Sequence, residues 1–323
     1  MLNMTSDYRL KNSRKAFTLV EILVVIAVIG LLSSIIFAIT RGADEQGRIA
    51  KGLYFSQHLH NSLGSYAAGI WSFDEGSGTA ANDISGWDNN GTLVNTPTWR
   101  CASIDTNYTP SGQGCSLEFA GSGSGQYIRI GNTDTFKWMH GAENPSGFKF
   151  TLELWIKRLA GGPDGWIFGT VGHNFSNVGV FLYLNGGTSI RMGIAGGSGT
   201  AVFQANDILT VPSDGRFHHL AWTYDHSLSS GNSKLYFDGD LKHTGNKGSG
   251  TVSTANSTYV PNIGAVGNGS SLIPNSMLDD VRIYATSLTS TQIESQYYAS
   301  LGRLLDKDQI TKQEHQERLV INK

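Results

Sequence analysis

Residues 1–16 are polar, with Arg9, Lys11, Arg14 and Lys15 set against the single acid Asp7, and from Phe17 to Ile39 the pattern inverts to an almost wholly apolar run. As a helix that run is about 35 Å long, enough to cross a bilayer, and the basic block before it is expected to stay on the cytoplasmic side. It is too long for the apolar core of an ordinary signal peptide, and no small-x-small cleavage site follows Ile39, so the helix is expected to survive in the mature chain. One carboxylate, Glu21, interrupts it near its start, and a carboxylate in lipid is costly unless something pairs with it. Gly30, in mid-helix, can serve close helix packing or local melting, or simply be tolerated. Helical spacing continues at Ile49, Leu53, Leu63 and Tyr66, which predicts an amphipathic extension, weakened at Gly42, Gly47 and Gly52. His58 and His60 are two apart, face different ways on such a helix, and so argue against a metal pair.

After Gly64 the period changes from helical to alternating. In FKFTLELWIKR, Phe150, Leu152, Leu154 and Ile156 share one face while Thr151, Glu153, Trp155 and Lys157 share the other, the pattern of a half-buried strand. Similar runs follow in GVFLYLN, SIRMGIA, HHLAWTY, KLYFDGDLK and LDDVRIYA, separated by turn signals such as Asn185-Gly186 and Asp238-Gly239. No strand-helix alternation appears, so the expected architecture is an antiparallel two-sheet sandwich over residues 67–301. Thr289 and Gln292 have the spacing of a capping box, which predicts a short helix after the last strand with Ile293 and Tyr297 on its buried face. The segment 302–323 is polar, mixed in sign and weakly periodic, and reads as a polar tail, loosely helical or disordered.

Composition sharpens this picture in two respects. Charged residues make up 15% of the chain and the net charge is −2, against about 25% charged residues in ordinary soluble domains. This gives no electrostatic case for nucleic acid, and it leaves Ser, Thr, Asn and the 40 glycines to cover the surface of a turn-rich fold. The two cysteines, Cys101 and Cys115, flank a polar, turn-rich stretch. In an oxidising compartment they could close a loop worth about 3 kcal/mol; two free thiols are the alternative reading.

The segment KAFTLVEILVVIAVIGLL resembles the N-terminal signature of type IV prepilins and type II secretion pseudopilins, in which a basic leader is cut immediately before a phenylalanine and the new amine is methylated. The resemblance implies cleavage between Ala16 and Phe17 by a prepilin peptidase, a leader of residues 1–16 and a pilin helix over 17–66. The family's usual residue before the cut is glycine; Ala16 is small enough to permit processing. A positive amine on Phe17 of one subunit can be neutralised by Glu21 of its neighbour, which makes Glu21 the candidate assembly residue and other pilin subunits the expected partners, within membrane lipid.

Across residues 69–298, the segments GIWSFDEGSGTAANDISGWDNNGTLVN, FTLELWIKR, DGRFHHLAWTYD, KLYFDG and MLDDVRIYATSLTSTQIESQYY resemble, in order, the laminin-G-like or concanavalin A-like jelly roll. Members of that family often hold a structural calcium between the opening loop and the closing strand. Here this implies Asp83 and Asn90 with Asp279, and less directly Asp74 and Asp280; the loop's oxygen donors suit calcium, and an ion-free turn held by Asx hydrogen bonds is the equal alternative.

Catalytic readings find little support. The jelly-roll glucanases place carboxylates on one strand as Glu-x-Asp-x-Glu, whereas Glu153 stands alone and reads as a solvated strand glutamate. His218 and His219 are adjacent on a strand, point to opposite faces and read as packing residues. No Gly-x-Ser-x-Gly elbow or phosphate-binding glycine motif occurs. Outward-facing Trp155 is a candidate for stacking on a sugar. The sequence therefore predicts a mainly β protein with a long N-terminal helix whose first half spans the membrane. It would be a non-catalytic pilin-like subunit, held in the bacterial cytoplasmic membrane before assembly and then in an extracellular or periplasmic filament. Its jelly-roll head would bind a surface, glycan or protein. A secretion pseudopilin and a membrane-tethered carbohydrate-active enzyme are the alternatives.

Overall fold

The computed structural model describes residues 19–33, 63–121, 123–159, 164–171, 177–186, 188–197, 199–255, 257–267, 273, 275–306 and 310–320. The chain divides into two units, Met1–Ala50 and Lys51–Lys323.

In the first unit, residues 19–33 form helix α1, with its side chains exposed. Nothing lies within 4 Å of where a Cβ on Gly30 would sit. Among the described residues no helix is long and apolar enough to cross a membrane. Ala16, Phe17, positions 34–39 and the predicted extension up to residue 62 lie outside the described residues.

Among the described residues the second unit has sixteen strands in two antiparallel sheets. They are β1 (Ala67–Trp71), β2 (Ala80–Ala81), β3 (Gly91–Val94), β4 (Thr98–Cys101), β5 (Cys115–Phe119), β6 (Tyr127–Ile130), β7 (Lys149–Arg158), β8 (Gly165–Gly169), β9 (Val178–Asn185), β10 (Ser189–Gly196), β11 (Ala201–Ala205), β12 (His218–Asp225), β13 (Ser233–Phe237), β14 (Asp240–Gly245), β15 (Asn262–Ile263) and β16 (Ser276–Tyr284). One sheet runs β14-β13-β12-β7-β16-β5-β4, with β1 also on β16; the other runs β11-β10-β9-β8-β15-β6-β3-β2. β16 changes partner along its length, pairing with β5 through Ser276 to Leu278 and with β1 through Val281 to Tyr284. The register slips between Asp279 and Arg282, where Asp280 takes φ 48°, the local bend of a bulge.

The core between the sheets is the one that alternation predicts. Phe150, Leu152, Leu154 and Ile156 of β7 join Leu220, Trp222 and Tyr224 of β12 and Val180, Leu182 and Leu184 of β9 in one cluster. Trp71, fully buried, explains the glycine two residues before it: a Cβ on Gly69 would lie 2.2 Å from its ring. The β13–β14 hairpin turns on Asp238 and Gly239 at φ 52° and 85°, both positive as a two-residue hairpin with an Asp-Gly turn requires. Cys101 and Cys115 sit opposite one another on β4 and β5 and form a disulfide, with their Cα atoms 3.9 Å apart.

The other face of β7 departs from expectation: nine of its ten residues are buried. The cause lies at the C-terminal end of the chain. Helix α2 (Ser290–Asp306) starts on the predicted box, in which Gln292 Oε1 accepts from Thr289 N at 2.8 Å and Thr289 Oγ1 from Gln292 N at 3.3 Å. It continues well past residue 301 and is followed by α3 (Lys312–Val320). Leu301, Leu304, Ile310 and Leu319 pack with Trp155, Phe217, Met277 and Tyr297 outside the sheet. Much of the expected polar tail is thus a packed helical layer, because Leu304, Ile310 and Leu319 turn toward one sheet face.

Candidate functional site

Beneath that layer, Thr151 is tied to the segment leading into α2, its Oγ1 donating to Thr286 O at 2.8 Å and accepting from Leu288 N at 2.9 Å. Glu153 faces its cross-strand neighbour Arg282 at 3.4 Å and accepts from Gln296 Nε2 of α2 at 3.1 Å. It is 1% exposed, so the solvated glutamate expected from alternation is instead a buried one. Burial raises its carboxyl to about 7, against the opposing pull of Arg282. Trp155 is 4% exposed; its ring stacks on Tyr297 at 5.8 Å and tilts against His219 at 5.1 Å. It therefore offers no face to a sugar, and the expectation for Trp155 is corrected: α2 covers it.

The two adjacent histidines do face opposite ways. His219 is buried and pushed down to about 4 by desolvation. His218 has its charge opposed by burial but favoured by Asp238 and Asp214, which raise its pKa; Nδ1 lies 2.7 Å from Asp238 and Nε2 lies 3.2 Å from Asp214.

The residues expected around calcium fall into two groups. Asp83 Oδ1 accepts from Ile70 N and Ser85 N at 2.8 Å each, and its Oδ2 accepts from Ser85 Oγ at 2.8 Å and Asn89 N at 3.0 Å. Asn90 Oδ1 in turn accepts from Asp83 N at 2.8 Å. The loop is thereby knotted through its own carboxylate, as an Asx turn requires. Asp279 is raised well above the usual carboxylate range by burial, with Asp280 and then Asp74 adding to the effect. Among the described residues no three His, Cys, Asp or Glu side chains gather to hold a metal ion. All four of Asp83's acceptor directions are in use within the loop.

What the knot does is present a tryptophan. Between the bound residues Ser85 and Asn89, Gly86 and Asp88 take φ 93° and 55°, and Trp87 at the apex is 66% exposed. Its ring borders a cleft of about 760 Å³ together with half-exposed Tyr66, Trp138, Phe136, Asn89 and Asn144. Phe136 forms part of the wall at φ 62°, rare for a bulky residue, and meets Trp71 edge-on at 6.2 Å. Lys137 bridges the rim acids Asp134 and Glu143 at 4.0 and 3.5 Å. Aromatic faces beside amide and carboxylate groups in an open cleft are the chemistry of a sugar or other amphipathic ligand. Sequence reasoning had passed over this cleft; the available signal was a lone tryptophan amid the polar turn residues of SGWDNN.

These features define a class: a pilin-like precursor, with its N-terminal methylation motif, carrying a jelly-roll head. Residues 11–37 match the prokaryotic N-terminal methylation motif. Residues 122–294, more than half of the chain, match the laminin-G model of the concanavalin A-like lectin/glucanase superfamily, and the chain belongs to that superfamily. Among solved structures it is similar to botulinum neurotoxin type C, whose cell entry depends on interaction with two ganglioside molecules (12% identity, TM-score 0.54, covering 74% of this chain and 52% of that one). It is also similar to the binding domain of botulinum neurotoxin serotype D (14%, 0.52, 75% and 53%) and to that of botulinum neurotoxin DC in complex with rat synaptotagmin II (12%, 0.51, 74% and 52%). The match spans about half the length of those chains. Among curated proteins no sequence matches this chain.

Proposed function

We propose that this protein is a type IV pilin-like subunit whose leader is removed at Phe17 by a prepilin peptidase. Its N-terminal helix holds it in the cytoplasmic membrane and then in a filament beside other pilin subunits, and its head, residues 67–301 with the two C-terminal helices, binds a glycan in the aromatic cleft. The observation that carries the glycan reading is Trp87, a large ring two-thirds exposed on a loop that Asp83 holds rigid. A rigid loop spends little entropy on presenting a ring to a ligand. Binding is favoured over cleavage because Glu153, the strand glutamate, is enclosed with Arg282 and Gln296 and has no access to a substrate.

Replacing Trp87 by alanine is expected to weaken binding of the best ligand from a glycan array about tenfold, or about 1.4 kcal/mol, while the melting temperature of the full-length protein stays put because little buried surface is lost. Absence of any glycan ligand, or full affinity in the variant, would overturn the reading.

On the same reading the opening loop is held by Asp83 rather than by calcium. Asp83→Ala is expected to cost about 3 kcal/mol, since four donors lose a charged acceptor at once. Thermal melts of the parent in excess calcium and in chelator are expected to coincide; a chelator-induced fall would restore the ion to the loop.

A further inference from the structure

On the helix-covered side of the head lies a second cavity, of about 310 Å³, between the start of β12, the β13–β14 hairpin and helices α2 and α3. Arg216, Lys242 and Arg318 line it, with aromatic surface from Phe217, Phe237 and Tyr297. Its two lining acids, Asp214 and Asp238, are directed to His218 and to backbone N–H groups of Arg216 and His219. Glu314 serves both arginines with one oxygen, at 2.8 Å from Arg318 and 3.6 Å from Arg216. The Arg318 side chain is only 15% exposed, and its Nε is buried without a hydrogen-bond partner. Two guanidinium groups thus converge on a single carboxylate oxygen, with donor capacity left over, beside aromatic walls in a cavity at the small end of ligand-pocket size. Planar guanidinium forks match a carboxylate geometrically.

We propose that this cavity is a second ligand site, separate from the aromatic cleft, and that it takes a carboxylate-bearing sugar unit with its acid group held by Arg216 and Arg318. Lys242, paired with Asp240 at 3.1 Å, stands at the rim and the aromatic walls receive the ring. The site is independent of Trp87, so it stands or falls apart from the cleft.

Isothermal titration of the full-length protein with glucuronate and with glucose tests it. Glucuronate is expected to bind at least about tenfold more tightly than glucose, and Arg318→Gln and Arg216→Gln are each expected to weaken it about tenfold, the loss of a charge-assisted contact. Lys242→Ala should weaken it a few-fold. Should Arg318→Gln melt early, Arg216 and Lys242 carry the test, because their side chains are 53% and 35% exposed. Equal affinity for glucose and glucuronate, no binding of glucuronate, or binding indifferent to the Arg216 and Lys242 substitutions overturns the proposal.

Discussion

Replacing Arg282 by alanine is expected to lower the stability of the head by about 3–5 kcal/mol, the cost of leaving a buried acid without its counter-charge. For a domain of this size that is a fall in melting temperature of roughly 6–20 °C. Arg282 sits across the strand from Glu153, reaches Gln296 Oε1 of α2 at 2.6 Å and also pairs with Asp280 at 3.1 Å, so one truncation strands two acids and an amide. The loss should depend on pH. Glu153 has its folded value raised from 4.5 to about 7, so between those values the folded chain binds more protons than the unfolded one and stability falls as pH rises. In the variant the carboxylate has even less support, so the deficit relative to the parent is expected to be smaller at pH 5 than at pH 8. Melts of parent and variant at the two pH values measure it; an equal deficit at both would mean that Arg282 acts through packing alone.

The second large effect concerns the other end of the molecule. Glu21→Ala is expected to leave the precursor in the membrane, because the apolar run is untouched, and to reduce its incorporation into fibres by an order of magnitude or more by removing the acid proposed to meet the Phe17 amine of a neighbouring subunit. Shearing cells and comparing the sheared and membrane-retained fractions measures this. Fibre yield equal to the parent's would detach Glu21 from assembly. Mass spectrometry of the mature N-terminus is the matching control, since a methylated Phe17 is the chemical signature of processing.

Period-2 patterning placed β7 with its core face and the runs of β9, β12, β13 and β16, and turn chemistry placed the Asp238-Gly239 hairpin. Those signals are local: a strand's alternation and a dipeptide's backbone preference are set by adjacent residues. What escaped was decided by distant parts of the chain. Glu153 and Trp155 alternate as outward-facing residues, and nothing within ten positions reveals that a helix some 140 residues later lies over them. Asp83 shows the converse: its oxygen-rich loop reads equally as a metal cradle or a hydrogen-bonded knot, and the four donors that point at it, one of them from β1, are not legible in the local pattern. Trp87 was legible in principle, because a large ring among turn residues has no core to join.

A head carried in many copies along a fibre would meet its own kind at high local density, a setting in which bare strand margins zip into one another. One sheet of this molecule ends at β4, stitched to its neighbour by Cys101–Cys115, and at β14, whose ladder is broken between Leu235 and Tyr236 and whose margin carries Asp240 and Lys242. The stitch and the kinked, charged border blunt the two ends of that sheet against strand addition from an adjacent copy.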